Sequence, residues 1–165
     1  MTIRLAELKD LNSIVKIYNQ AIIKGHSTAD TEVFTLEQKL PWFEYHYENK
    51  AKHPIFVFEK DNNVVAWGSV SEYRPGRKAL ESTVEVSYYV HNDHQGQGIG
   101  KKLLEYIITF CKSVGFKNLI AILLSTNTPS IKLLNYFEFQ QWGYLPDVAI
   151  VEGEPVSHVY MGLKI

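Results

Sequence analysis

The chain has 165 residues, 45% of them hydrophobic, and a formal net charge of −1. This length suits one domain with a sizeable core, which we expect to span residues 1–165. The charge gives no electrostatic basis for binding nucleic acid or an anionic membrane, and the single cysteine excludes an intramolecular disulfide. With no basic-then-apolar start and no apolar run near 18 residues, we expect a cytoplasmic protein.

The first third of the chain is predicted to hold one strand and two helices. Polar and apolar residues alternate over 2–7, which is typical of a strand, and Asp10 is expected to cap the helix that follows. Apolar residues recur there at helical spacing and predict a helix packed on a sheet, with its end free to border a ligand; they are Leu11, Ile14, Ile17, Tyr18, Ala21 and Ile22.

The second helix should begin at the capping box formed by residues 35–38, after a polar loop over 24–34. Pro41 is expected to interrupt or kink it. Four aromatic residues follow, namely Trp42, Phe43, Tyr45 and Tyr47. They belong either to the core or to a pocket wall, and we expect the core, because aromatic side chains bury large areas.

A hairpin is predicted next, from strands over 55–60 and 64–70 around the turn residues Asp61, Asn62 and Asn63. A basic loop over 74–78 then precedes the next strand. This loop is either a solvated turn or an anion clamp, since the arginine fork fits a carboxylate. The local sequence leaves both possibilities open.

The stretch 82–104 organises the rest of the chain: a strand, then a glycine-rich turn, then the start of an amphipathic helix. Backbone N–H groups from Gly96 to Gly100 should therefore point outward from a helix N-terminus, which is a site for phosphate. Glu85 is the only acidic residue in the strand, where an ionised group is costly to bury without a partner or a purpose.

The remaining elements alternate. An apolar helical stripe runs from Ile99 to Cys111 and ends before Gly115, so Cys111 is expected to be a small core residue. A buried strand over 118–124 and a short helix capped by Thr128 come next, and two strands are predicted over 140–144 and 158–163. The order β-α-α-β-β-β-α-β-α-β-β describes one mixed α/β domain with a twisted sheet between helices.

Two familiar phosphate-binding loops do not fit the glycine-rich turn. A P-loop needs Ser or Thr after Lys101 and a glycine at the position of Gln95. A dinucleotide fingerprint needs a glycine where Lys101 stands, and no acidic residue closes the next strand. The pattern that remains is Gln95-x-x-Gly98-x-Gly100, placed after a strand and at the start of a helix.

This pattern resembles the pyrophosphate loop of the GCN5-related N-acetyltransferase (GNAT) superfamily, whose members use acetyl-CoA. Residues 83–85, 89–91 and 93–96, with Ile17-Tyr-Asn19, are similar to the phosphinothricin and methionine sulfoximine acetyltransferase family. The resemblance implies an α/β GNAT fold, a mixed, mostly antiparallel twisted sheet of about seven strands flanked by about four helices. It also implies acetyl-CoA as co-substrate, no metal, a small-molecule amine acceptor and a homodimer.

The resemblance also implies roles for individual residues. Glu85 would act as general base through a water, although a salt bridge to Arg or Lys is the alternative explanation of this carboxylate. The backbone of Tyr88, Tyr89 and Val90 would pair with the pantetheine arm. The pyrophosphate would be bound by the loop Gln95, Gly96, Gln97, Gly98, Ile99, Gly100 and Lys101. Asn127 would contact the cofactor arm or merely cap a turn.

Acceptor binding is implied for the basic loop, whose matching residues are Arg74, Arg77, Lys78, Ala79 and Leu80. This resemblance favours the anion clamp over the solvated turn. The chain departs from the family at Leu134, where Tyr or His usually protonates the leaving thiolate, and at Glu138, where glycine is usual. Tyr136 or water would have to replace that acid, but Tyr136 is expected to face elsewhere on the helix.

Two other functions stay open at this stage. The missing acid at Leu134 is compatible with an acyl-CoA-binding module with weak or no catalysis. A peptide or protein N-terminal acetyltransferase is the second possibility, and it would require an open groove. The basic loop and the aromatic second helix favour a closed pocket for a small acceptor.

Overall fold

The computed structural model describes residues 1–165 and contains the strands and helices in the predicted order. The strands are β1 (Thr2–Leu5), β2 (Ile55–Lys60), β3 (Asn63–Glu72), β4 (Thr83–Val90), β5 (Asn118–Leu124), β6 (Gln140–Val151) and β7 (Glu154–Lys164). The helices are α1 (Leu11–Lys24), α2 (Leu36–Glu48), α3 (Ile99–Val114) and α4 (Thr128–Tyr136). None of these helices is long and apolar enough to cross a membrane.

All seven strands form one sheet in the order β1-β2-β3-β4-β5-β7-β6. Every neighbouring pair is antiparallel except β4 and β5, which run parallel. A parallel pair needs a crossover, and α3 provides it. The prediction of a mixed, mostly antiparallel sheet with four helices is confirmed.

The two parallel strands separate soon after they meet. Residues 83–85 of β4 pair with residues 118–120 of β5, and the pairing then stops. Beyond that point β4 continues along β3 as far as Val90, while β5 continues along β7 as far as Leu124. A gap therefore opens in the middle of the sheet, next to the glycine-rich turn that follows β4.

Each face of the sheet packs a separate apolar core. On one face α3 and α4 cover β4 and β5, with Leu103, Ile107 and Leu134 fully buried. On the other face α1 and α2 cover β2 and β3 around Val57 and Trp67. The predicted apolar stripes of α1 and α3 are buried throughout, including Cys111, whose thiol pKa burial raises to about 12. These stripe predictions are confirmed.

The contact between α3 and the sheet depends on Gly68 in β3. A Cβ at this position would lie 2.6 Å from Cδ1 of Ile107 and 2.9 Å from the carbonyl oxygen of Ser87. Both distances are shorter than van der Waals contact, so only glycine allows the helix to lie this close to β3. The close packing fixes the middle of α3 against β3 and β4.

Two predicted caps are corrected by the structure. Asp10 precedes α1, but its side chain makes no capping hydrogen bond. Arg4 donates to both of its carboxylate oxygens, at 2.6 and 3.0 Å. Burial by itself would raise the pKa of Asp10, but the contacts with Arg4 outweigh it, so the pKa lies below its usual value. Asn127, not Thr128, caps α4, because its Oδ1 accepts a hydrogen bond from the Ser130 N–H at 3.3 Å.

The second helix also differs from its prediction. The capping box at Thr35 and Gln38 is present, but Pro41 lies inside a continuous α2 and does not interrupt it. Of the four aromatic residues only Phe43 is fully enclosed, whereas Tyr45 and Tyr47 are exposed. The expectation of a core role was wrong for these two tyrosines, because they lie on the outer side of a helix with only one apolar stripe.

The hairpin prediction for β2 and β3 is confirmed, with Asp61 and Asn62 both at positive φ in the turn. The C-terminal hairpin is longer than predicted. β6 and β7 extend to a turn at Glu152 and Gly153, and the predicted gap between residues 144 and 158 is mostly strand. The proline and glycine residues of this stretch had suggested a break, but Pro146 is accommodated where the β6–β7 register shifts.

Candidate active site

A cavity of about 310 Å³ lies at the mouth of the gap between β4 and β5. It is bordered by the end of β4, the glycine-rich turn and the first turns of α3 and α4. The predicted cofactor residues that line it are Tyr88, Tyr89, Val90, Gln95, Gly96, Gly98, Ile99, Gly100, Lys101 and Asn127. Gln97 is the exception, because its side chain turns back to Lys60 and to the Asp93 carbonyl.

The glycine-rich turn presents a row of free backbone donors to this cavity. Gly96 and Gly98 have φ values of +73° and +76°, which turn successive N–H groups in one direction. No backbone acceptor pairs with the N–H groups of residues 96–101, and no side chain caps α3. The structure therefore has the unpaired donors that a bound phosphate group needs.

Lysine side chains add positive charge around the same turn. Lys24, at the end of α1, donates to Oε1 of Gln95 at 3.1 Å, and Lys101 donates to the hydroxyl of Tyr136 at 2.7 Å. Both lysines line the cavity. The sequence indicated that the end of α1 could border a ligand, but no local motif identified Lys24 as the residue that does.

The gap exposes one edge of β4. His91 donates its backbone N–H to Val65 on β3 at 2.9 Å, and backbone groups point to alternate sides along a strand. The backbone of Tyr88 and Val90 therefore faces β5, which has already turned away. Gln95 donates to the Val90 carbonyl at 3.2 Å, and the N–H and carbonyl of Tyr88 remain available to an added strand-like ligand.

Glu85 lies at the base of the gap, in the last pair that joins β4 to β5. The side chain is half-buried, and burial alone raises the pKa of its carboxyl group. No Arg or Lys forms an ion pair with it. The structural alternative considered for this carboxylate, a salt bridge, is therefore wrong.

A buried histidine lies next to this carboxylate across β3. Ser71 is paired with Glu85, and its Oγ lies 3.4 Å from Nε2 of His46 on α2. Nδ1 of His46 is 2.6 Å from the His53 carbonyl and must donate to it, so Nε2 is left as an acceptor for the serine hydroxyl. Burial holds the pKa of His46 below its ordinary value. The sequence did not indicate that His46, Ser71 and Glu85 lie side by side, because this arrangement arises from the register of the strands.

The family resemblance places the proton donor for the leaving thiolate at position 134, and this position is apolar, as the sequence shows. Leu134 is fully buried and borders the cleft between β4 and β5. Tyr136 is 61% exposed, lines neither this cleft nor the first cavity, and accepts a hydrogen bond from Lys101. The expectation that Tyr136 faces away from the reacting position is confirmed.

The basic loop lies in a second cavity, of about 510 Å³. Arg74, Arg77, Lys78 and Leu80 line it, and Ala79 does not. The second cavity shares no lining residue with the first, and Glu85 lines neither of them. It reaches Thr83, which lies two residues before Glu85 on β4, so the loop is near the carboxylate without contacting it.

The structure contains no group of three or more His, Cys, Asp or Glu residues that could hold a metal ion. The features that converge on the gap are instead a turn of free N–H groups, an unpaired strand edge and an unpaired carboxylate. The sequence profile of the Acetyltransferase (GNAT) family matches residues 13–139. This chain belongs to the GNAT acetyltransferase family.

Individual GNAT relatives match almost the whole chain. The YwnH protein of Bacillus subtilis (strain 168) is 39% identical and aligns over 100% of this chain and 99% of its own length. The L-methionine sulfoximine/L-methionine sulfone acetyltransferase of Salmonella typhimurium is 30% identical over 100% of this chain and 95% of its own. A crystal structure of a GNAT phosphinothricin acetyltransferase from Sinorhizobium meliloti, in complex with AcCoA, is 26% identical with a TM-score of 0.92, covering 99% and 88% of the two chains.

Proposed function

We propose that this enzyme transfers the acetyl group of acetyl-CoA to the amine of a small amino-acid-like acceptor of the phosphinothricin or methionine sulfoximine type. The observation that carries the proposal is the unpaired Glu85 carboxylate at the base of a gap whose mouth holds a phosphate-binding turn. The acceptor class is supported by the Salmonella typhimurium and Sinorhizobium meliloti relatives, whose names state it.

The residues of the first cavity fit acetyl-CoA. Free N–H groups over residues 96–101 and the ammonium groups of Lys24 and Lys101 would hold the pyrophosphate. The exposed edge of β4 at Tyr88 would hold the pantetheine arm as an added strand, with Asn127 beside it. When bound, the cofactor supplies an activated acetyl thioester.

Glu85 would remove the proton that the acceptor amine must lose. An amine attacks a thioester only when its nitrogen is neutral, so a base or a water relay is required beside the acyl carbon. Glu85 is the only carboxylate on β4 and has no counter-ion to hold it in another role. One water would bridge the carboxylate and the amine.

The direct test of this function is an acceptor screen that measures release of the CoA thiol. Methionine sulfoximine, methionine sulfone, phosphinothricin, free amino acids and a peptide with a free N-terminus would be compared at equal concentration. We expect turnover with the amino-acid analogues and little with the peptide. Preference for the peptide would favour an N-terminal acetyltransferase, and no turnover with any acceptor would favour a binding module.

The basic loop would hold the carboxylate of the acceptor. We expect Arg77→Ala to raise the acceptor KM by at least tenfold and to change kcat far less, because the lost contact binds substrate and transition state alike. Steady-state kinetics at saturating acetyl-CoA measure both constants. Lys132→Ala removes an exposed positive charge from α4 at a residue that lines neither cavity, and is the matched control. An unchanged KM for Arg77→Ala would contradict the clamp.

We also propose that the enzyme is a homodimer that pairs through the edge of its sheet. β6 is the terminal strand of the sheet and exposes a run of large apolar side chains, namely Trp142, Tyr144, Leu145, Val148 and Ile150. An apolar patch of this kind on an edge strand supports an interface with a second copy.

Sedimentation velocity tests the dimer. The mass obtained for the wild type should be twice the 19.0 kDa of one chain. Ile150→Glu should shift the population towards the monomer. Ile23→Glu is the control, since Ile23 on α1 is 75% exposed, compared with 62% for Ile150, and lies outside the edge strand. A wild-type monomer at all concentrations would overturn this proposal.

A further inference from the structure

One step of the proposed reaction has no assigned residue, and the inference below rests on that proposed function. When the C–S bond breaks, the departing sulfur takes the electron pair and needs a proton. Leu134 borders the cleft where the sequence resemblance places a Tyr or His for this purpose, and a leucine has no proton to give. Another donor on the same face of the gap is therefore required, or water must supply the proton.

Tyr88 and Tyr89 both border the cofactor cavity and the cleft beside Leu134, but only the Tyr88 hydroxyl is buried without a hydrogen-bond partner. Its ring packs against the α3 and α4 core, on the same face as Leu134. Ser130 borders both spaces as well and is close enough to influence the phenol, but no hydrogen bond joins the two hydroxyl groups in this structure. A buried hydroxyl without a hydrogen-bond partner is unfavourable, so its retention at this position indicates a partner supplied by a ligand.

We propose that the Tyr88 hydroxyl donates the proton to the departing sulfur of CoA, in place of the side chain missing at Leu134. The amine nitrogen forms a bond to the acyl carbon, the C–S bond breaks with its electrons on sulfur, and the Tyr88 proton moves to that sulfur. The amine proton goes through water to Glu85. Tyr88 recovers a proton from solvent through the open cavity, and Glu85 releases one, so the sum is amide plus free thiol.

The protonation state of Tyr88 suits this role. Burial raises the pKa of the phenol to about 12, and the neighbouring Ser130 offsets this only in part. The hydroxyl therefore keeps its proton throughout the neutral pH range. The donor also needs no helix movement to reach the gap, because Tyr88 belongs to the strand whose backbone would hold the pantetheine arm.

The binding test compares CoA with desulfo-CoA, which lacks the sulfur, by isothermal titration calorimetry. For the wild type we expect CoA to bind several-fold more tightly than desulfo-CoA, because only CoA can pair with the Tyr88 hydroxyl. In Tyr88→Phe that difference should disappear while the affinity for desulfo-CoA stays the same. An unchanged affinity ratio in Tyr88→Phe would overturn the inference.

The kinetic test uses the best acceptor of the screen. Tyr88→Phe should lower kcat by roughly 10- to 100-fold with little change in the KM for acetyl-CoA. Tyr106→Phe removes an exposed phenol on α3 that lines neither cavity and should leave kcat unchanged. An unchanged kcat in Tyr88→Phe would contradict the role of Tyr88. If no acceptor is acetylated but the CoA preference depends on Tyr88, the proposed function fails and the contact to sulfur stands.

Discussion

Replacing Glu85 by glutamine is expected to lower kcat by about 10²- to 10⁴-fold, the range typical of a lost general base. Glutamine keeps the shape of the side chain but cannot accept the amine proton. Acetyl-CoA should still bind with its original affinity, since Glu85 does not line the cofactor cavity. Stopped-flow kinetics and calorimetry on the same variant separate these two effects.

The pH dependence gives a second measure of the same residue. Burial raises the pKa of the Glu85 carboxyl above its ordinary 4.5, and a general base works only when it is deprotonated. The acceptor amine must also lose a proton, so it contributes an acid limb of its own to kcat/KM in both proteins. The limb that belongs to Glu85 should lie above pH 4.5 in the wild type and be absent from Glu85→Gln. An unchanged profile in the variant would assign the base to another group, and His46 would be the next candidate.

Stability should change in the opposite direction to activity. Above pH 4.5 the unfolded chain loses the Glu85 proton before the folded chain does, so folding stability falls as the pH rises through the raised pKa. Glu85→Gln removes this cost and should raise Tm at pH 7, with no difference below pH 4.5. Glu105→Gln, an exposed position on α3, is the control and should leave both Tm and kcat unchanged.

These outcomes also distinguish an enzyme from a binding module. A module that only binds acyl-CoA would have no turnover for Glu85→Gln to abolish, and its unpaired carboxylate would have no function. Under the proposed function the lack of an ion partner at Glu85 has an explanation, because the carboxylate would face an acceptor amine. The stability that the buried Glu85 carboxylate is expected to cost would then be linked to its proposed role as general base.

The sequence predicted most of the fold because its patterns are local. The apolar stripes of α1 and α3 repeat at helical spacing, and both are buried as expected. The glycine-rich turn was equally predictable, since Gly96 and Gly98 occupy positions with positive φ that other residues rarely adopt. The C-terminal hairpin was less predictable, because β6 is an exposed edge strand with a shifted register and has no regular alternation.

The parts of the site that could not be predicted depend on contacts between distant segments. His46 lies on an aromatic helix, and only the register of β3 against β4 brings it through Ser71 to Glu85. Tyr88 has the sequence pattern of an ordinary strand residue, and its proposed role as proton donor depends on how far β5 turns away from β4. A single sequence carries no local signal for the approach of His46 to Glu85 or for the separation of β4 and β5.

The glycine-rich turn provides the second large expected effect. Gly98 is the last residue before α3, its φ is +76°, and it lines the cofactor cavity. A Cβ there would meet no protein atom within 4 Å, so it would extend into the open space next to the free N–H groups. We expect Gly98→Ala to raise the KM for acetyl-CoA by roughly 10- to 100-fold, because the added methyl group occupies space that a phosphate needs.

Backbone strain alone must be separated from loss of the binding site, and the other end of α3 allows this. Gly115 caps the C-terminus of the same helix with φ +94°, and a Cβ there would also meet no protein atom within 4 Å. Gly98→Ala and Gly115→Ala should therefore lose similar stability, about 1–2 kcal/mol for a left-handed alanine. Only Gly98→Ala should raise the KM for acetyl-CoA. Equal increases in both variants would mean that helix stability, rather than the free N–H groups, controls cofactor binding.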